Sequence, residues 1–130
     1  MKRILLVDDE PMVLRVMRRA LEREGYQVDV AINGEDALAK ISSSCPDVLV
    51  TDIEMPRMSG KELCLLIQET MPDRKFPIFV STSLTALEHR EWSGNITNLV
   101  FLEKPISIRK LRSAIAELVD ANLLAESYGS

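Results

Sequence analysis

Short runs of β-favouring residues at Arg3 to Val7, Gln27 to Ala31, Val48 to Thr51, Ile78 to Ser81 and Leu99 to Leu102 alternate with stretches of helical periodicity along the whole chain. A hairpin needs only a few residues between its strands, whereas parallel neighbours need a crossover of about a dozen or more. The gaps here are of the second kind, so the pattern predicts a parallel sheet. Right-handed crossovers put helices on both of its faces, which predicts an α/β fold built as a three-layer αβα sandwich with the first strand central. In such open sheets ligands bind outside the carboxyl ends of the strands, so the residues that end strands are the candidates for function.

Each helix carries its own marks. Pro11 suits a first-turn position, and Val13, Val16, Met17, Ala20 and Leu21 recur at i, i+3, i+4, i+7 and i+8. That stripe is expected to face the core, with Arg15, Arg18, Arg19, Glu22 and Arg23 outward and Gly25 as the stop. Ala37, Leu38 and Ile41 mark a second helix after the Asn33-Gly34 turn. Ser59-x-x-Glu62 reads as a capping box opening a third, with Leu63, Leu66, Ile67 and Met71 inward and Pro72 at its end. A short fourth helix is expected over Leu84 to Trp92, and a fifth from a Ser107 cap with Ile108, Leu111, Ile115 and Leu118 on one face.

The chain of 130 residues has the size of one domain and contains no linker or repeat. Residues 1–120 are expected to form that domain and residues 121–130 a helical extension or tail. Its 16 Lys and Arg against 20 Asp and Glu leave a net charge of -4, with no field to draw it onto nucleic acid or anionic lipid, so direct nucleic-acid binding is not expected. Apolar runs such as Ile4 to Val7 are far shorter than the roughly 18 residues of a membrane helix, so no membrane association is expected. Asp8 and Asp9 interrupt the amino-terminal run before a signal-peptide core could form, which points to a cytoplasmic location. Cys45 and Cys64 are not spaced as a metal or redox pair, and a single His89 cannot complete a zinc set. His89 and Trp92 read as surface or half-buried residues without a catalytic role.

The strand ends are where polar chemistry gathers. The first strand ends in Asp8-Asp9, the third in Asp52, the fourth in Thr82-Ser83 and the fifth in Glu103-Lys104-Pro105. Carboxylates brought to one rim repel one another unless a cation relieves them, and oxygen-only ligands favour a hard ion that retains water, which points to Mg2+. Lys104 supplies a mobile point charge suited to phosphate, and Thr82 a hydroxyl donor. The rim therefore holds a nucleophile, a metal site, a cation and a hydrogen bond, the parts needed for phosphoryl chemistry on Asp52. Met55, Pro56 and Met58 read as packing that shapes the approach to Asp52, since thioethers do not suit Mg2+.

Taken together, Asp8-Asp9, Asp52-x-x-Met55-Pro56-x-Met58-x-Gly60, Thr82 and Lys104-Pro105 resemble the receiver domain of two-component response regulators, over about residues 2–120. The resemblance implies a flavodoxin-like fold with five parallel strands in the order 2-1-3-4-5 and five helices. It implies Asp52 as the phosphoacceptor, Asp9 as a direct Mg2+ ligand, Asp8 acting mostly through water, and the backbone carbonyl of Glu54 as a further ligand. A histidine kinase or a histidine phosphotransfer protein would be the donor, with Lys104 neutralising charge during transfer. Thr82 and Phe101 would form a two-state switch that changes the face of the fourth helix, fifth strand and fifth helix for an unnamed output protein, or for a phosphorylation-dependent homodimer. A cis Lys104-Pro105 bond is implied as well. Departures from the family pattern are Ser83, where many receivers have Ala, and Thr97-Asn98, where many have Gly-Ala. Glu54 and Leu84, two residues beyond Asp52 and Thr82, are expected to set the lifetime of the phosphorylated state.

Two alternatives stand beside this reading. A Mg2+-dependent phosphohydrolase resembling the haloacid-dehalogenase enzymes would use Asp52 as nucleophile on separate substrates, but Glu54 stands where the second acid of Asp-x-Asp belongs and no substrate-capping insertion is present. A phosphorylation-independent interaction module is disfavoured by the intact constellation. The expectation is a protein that catalyses only its own phosphorylation and dephosphorylation, not a turnover enzyme; with no output domain after residue 120, it is either a stand-alone receiver acting on another molecule or a receiver cut from a longer chain.

Overall fold

The computed structural model describes residues 2–83 and 89–128. Five strands, β1 (Arg3–Val7), β2 (Gln27–Ala31), β3 (Val48–Asp52), β4 (Ile78–Thr82) and β5 (Leu99–Glu103), alternate with α1 (Pro11–Arg23), α2 (Gly34–Ser43), α3 (Gly60–Thr70), α4 (Arg90–Ser93) and α5 (Ile108–Tyr128). All neighbours pair in parallel, in the order β2-β1-β3-β4-β5. This is the flavodoxin-like arrangement, with one refinement: β3 is the middle strand, and β1, expected to be central, lies between β2 and β3.

Alternating strand side chains feed two apolar layers. Ile4 and Leu6 of β1, Val28, Val48, Val50 and Phe79 meet α1 and α5 through Leu14, Met17, Leu21, Leu111 and Ile115. Leu5 and Val7, with Leu49, Ile78 and Val80, meet α2 and α3 through Ala37, Ile41, Leu63, Cys64 and Ile67. β3 and β4 are buried at every position, as strands covered on both faces must be.

The helix stops and starts follow local chemistry. Asn33 caps α2 by accepting the Asp36 N–H at 2.8 Å, and Ser59 caps α3 by accepting the Glu62 N–H at 3.2 Å. The Ser59 hydroxyl in turn donates to Glu62 Oε1 at 3.4 Å, so the cap half of the expected box is present and the Glu62 carboxylate meets the hydroxyl in place of the Ser59 N–H. Ser107 accepts the Lys110 N–H at 3.3 Å at the start of α5.

Two expectations need correction. In α1 the core-facing row is Leu14, Met17 and Leu21, whereas Val16 is 59% exposed and Met12 68% exposed. Met17 and Leu21 of the expected stripe are buried and Val13 packs on the same core, so the correction concerns Val16, which faces solvent, and Leu14, which takes a core position in its stead. The fourth helix is described only over Arg90–Ser93, and the part expected over Leu84 to Glu88, including Leu84 itself, lies outside the described residues. At the other end α5 carries helix to Tyr128, through the stretch expected as an extension. No helix among the described residues is long and apolar enough to cross a membrane.

Candidate phosphoryl-transfer site

Strand register decides which side chains meet. Val7 of β1 pairs with Thr51 of β3, so the residues that follow, Asp8 and Asp52, emerge together at the carboxyl edge. Asp52 in turn pairs with Ser81, one residue before Thr82, and Thr82 pairs with Glu103, one residue before Lys104. The Thr82 carbonyl accepts the Lys104 N–H at 3.0 Å, holding the end of β5 beside β4. The Lys104–Pro105 peptide bond is cis.

The carboxylates of Asp8, Asp9 and Asp52 each present an oxygen within 4.8 Å of the others. Asp52 is 4% exposed, Asp8 half-buried and Asp9 exposed. Lys104 Nζ approaches Asp52 Oδ1 at 2.8 Å, a charge-assisted bond to a nearly buried acceptor. The backbone N–H of Glu54 reaches the same oxygen at 3.4 Å, and that of Glu10 donates to Asp8 Oδ1 at 2.9 Å.

The electrostatics of this rim oppose one another. Desolvation raises the Asp8 carboxyl above its ordinary 3.8; the Glu10 N–H and Lys104 pull it down, while Asp52 and Asp9 push it further up, and the net shift is upward. Burial by itself would lower the Lys104 ammonium, but its hydrogen bond to Asp52 and the negative charge of Asp52, Asp8 and Glu54 outweigh this and leave it raised. Lys104 therefore stays charged throughout the neutral range. Three carboxylates against one ammonium leave an excess of negative charge, and a donor set made only of oxygen suits a hard divalent cation that keeps part of its water. Asp8, Asp9 and Asp52 thus fit such an ion on both charge and ligand type.

Gly60 makes the packing behind Asp52 possible. Its N–H donates to Ile53 O at 2.8 Å, and a Cβ there would lie 2.3 Å from Asp52 O and 2.7 Å from Ile53 Cα. Only a residue without a side chain lets α3 start this close to the end of β3.

Thr82 is buried at the end of β4, and Phe101 is half-buried on β5. Sequence reasoning overlooked what joins them. His89 Nε2 is 3.3 Å from Thr82 Oγ1, its ring stacks on Phe101 at 5.5 Å with planes 19° apart, and Trp92 Nε1 donates to its Nδ1 at 3.1 Å. Trp92 also meets Phe101 edge-on at 5.9 Å. A single histidine seven residues beyond the end of a strand leaves no periodic trace, so no sequence signal marks it. A second overlooked feature is a groove of about 590 Å³ beside the rim, lined by Asp8, Met12, Val16, Lys104, Pro105 and Ile106 among others.

The family model for the response regulator receiver domain matches residues 4–116. The response regulator MprA of Mycobacterium avium is 36% identical over 117 residues, which cover 90% of this chain and 50% of that protein, so the chain spans about half the length of the curated relatives it matches. Among solved structures, a response regulator receiver domain protein from Clostridium thermocellum has a TM-score of 0.84 at 25% identity, covering 95% of this chain and 98% of that one. The response regulator TrrA of Thermotoga maritima, solved in complex with Mg2+ and BeF, has a TM-score of 0.76 at 33% identity, covering 91% and 99%. Strand order, the acidic rim and a family match spanning most of the sequence agree: the chain belongs to the receiver domains of two-component response regulators.

Proposed function

We propose that Asp52 accepts a phosphoryl group from a phosphohistidine of a histidine kinase or phosphotransfer protein, and that residues 1–120 are the unit that does so. The observation that carries this is Asp52 itself, a carboxylate almost removed from water, gripped by Lys104 at 2.8 Å and flanked by Asp8 and Asp9. In the transfer the P–N bond of the donor breaks, its electron pair stays on the imidazole, and an Asp52 oxygen forms the new P–O bond. Lys104 offsets the charge of the arriving phosphoryl oxygens, the kind of preorganised stabilisation that supplies most of such a rate. Asp8, Asp9, Asp52 and the Glu54 carbonyl would hold Mg2+, which when bound neutralises phosphoryl charge. The Thr82 hydroxyl then donates to the new phosphoryl group, and Phe101 responds, altering the face made by α4, β5 and α5 for an output protein. Glu54 and Leu84 tune how long the phosphoryl group lasts. The protein acts on itself and is not a turnover enzyme.

The groove beside the rim supports a protein donor. Met12 and Val16 present apolar surface within reach of Lys104, Pro105 and Ile106, next to the carboxylates that must meet the phosphohistidine. Intact mass after incubation with Mg2+ and a small acyl phosphate tests the chemistry directly. One added phosphoryl group is expected, lost when Mg2+ is withdrawn and absent in Asp52→Ala. No adduct in the wild type, or continuous turnover of phosphate monoesters, would overturn the reading.

A further inference from the structure

His89 touches both residues that the proposed switch must move, and its own hydrogen-bonding state follows from its neighbours. Trp92 Nε1–H can only donate, so His89 Nδ1 must accept. The neutral ring then carries its hydrogen on Nε2, which makes His89 the donor and Thr82 Oγ1 the acceptor across their 3.3 Å contact. On its face the same ring lies against Phe101, nearly parallel at 19°. His89 is therefore pinned at three points: an edge by Trp92, the opposite edge by Thr82, and a face by Phe101. It cannot follow Thr82 toward Asp52 without giving up the Trp92 bond or the Phe101 stack.

We propose that His89 is a positioning residue that latches the unphosphorylated arrangement, holding Thr82 by a hydrogen bond and Phe101 by stacking until the phosphoryl group on Asp52 competes for the Thr82 hydroxyl. This rests on the phosphoacceptor reading above. An interaction made in only one of two states shifts their populations by its full worth. For a neutral hydrogen bond that is a factor of about five. The latch also makes the two switch residues interdependent, because releasing Thr82 removes one of the three points that hold the ring against which Phe101 rests. Trp92 contributes by fixing the tautomer, so its indole senses the latch without touching Thr82.

Fluoroberyllate with Mg2+, a mimic of the phosphoryl group, provides the test, with affinity followed by fluorine NMR on the full chain. His89→Phe keeps a ring for Phe101 and Trp92 to pack on but removes the donor to Thr82, and is expected to bind the mimic about fivefold more tightly than wild type. His89→Gln keeps an amide donor and is expected to bind within about twofold of wild type. A residue that merely fills space would move the melting temperature and leave these affinities alone. If His89→Phe binds no more tightly than wild type, or if His89→Gln tightens as much as His89→Phe, the latch is wrong. Should His89→Phe fail to fold, His89→Leu carries the same expectation. Failure of the wild type to bind the mimic would overturn the phosphoacceptor reading and the latch together. A normal wild-type titration with unresponsive variants would overturn the latch alone.

Discussion

Asp8 holds the most conflicted charge on the rim. Its carboxyl is raised by burial and by the repulsion of Asp52 and Asp9, so the folded protein binds that proton more tightly than the unfolded chain does. The sign follows: without a divalent cation, Asp8 subtracts from stability as pH climbs past 3.8 and through the raised value, and costs nothing at pH values below both. Asp8→Asn keeps an oxygen for the Glu10 N–H and removes the charge. It should therefore melt a few degrees above wild type in chelator at neutral pH, with the gap closing in acid. Excess Mg2+ should reverse the order, because the wild type gains stability by binding and the variant binds weakly. Thermal melts across pH with and without Mg2+ check this, and equal melting temperatures throughout would count against the repulsion. At this scale much of the site was legible in the sequence, because Asp8, Asp9, Asp52, Thr82 and Lys104 terminate strands and the strands announce themselves. His89 was not, because its importance lies in a contact across seven residues with Thr82 at the end of β4, which no local pattern encodes.

Among the elements, the junction of β3 with α3 is the tightest. Gly60→Ala would drive a Cβ into the backbone of Asp52 and Ile53, where no side chain can swing aside. The expected cost is about 1–3 kcal/mol of stability, together with slower phosphorylation of Asp52, because the strand end that carries it must shift. Ser59→Ala is the matched control: it removes the α3 cap for about 1 kcal/mol but leaves the Asp52 backbone in place, so the phosphorylation rate should hold. Chemical denaturation paired with acyl phosphate kinetics separates the two effects. Equal slowing in both variants would mean that general loosening, not position, governs the rate. The strands were readable within a residue of their ends because each is a short run rich in Val, Ile, Leu or Phe between polar or turn-forming stretches. In α1 the expected stripe holds at Met17 and Leu21, which are buried, and at Val13, which packs on the same core; it fails at Val16, exposed beside the groove, and omits the buried Leu14, because periodicity alone cannot tell equally apolar neighbours apart.

For the whole molecule, if the groove along α1 receives the proposed protein donor, that donor and a small-molecule donor would use different surfaces to reach one carboxylate. Replacing Met12 and Val16 together by Glu should slow transfer from a phosphohistidine protein roughly tenfold or more, through lost apolar burial and added repulsion. Acyl phosphate kinetics and the melting temperature should stay near wild type, since both side chains are already exposed. Parallel transfer assays with the two donors decide it, and an equal effect on both would place the damage in the site instead of the docking surface.

β3 and β4 have every residue buried, whereas no residue of β5 is. Local opening free energy tracks such burial, so it should fall from the middle of the sheet toward the edge where Phe101 sits. That edge can be remodelled through excursions much smaller than global unfolding, while the strands that aim Asp8 and Asp52 stay shut. On the proposed reading, the chemistry would rest on the most buried strands of the sheet and the message on its least buried one, so a signal could be written without loosening the hand that writes it.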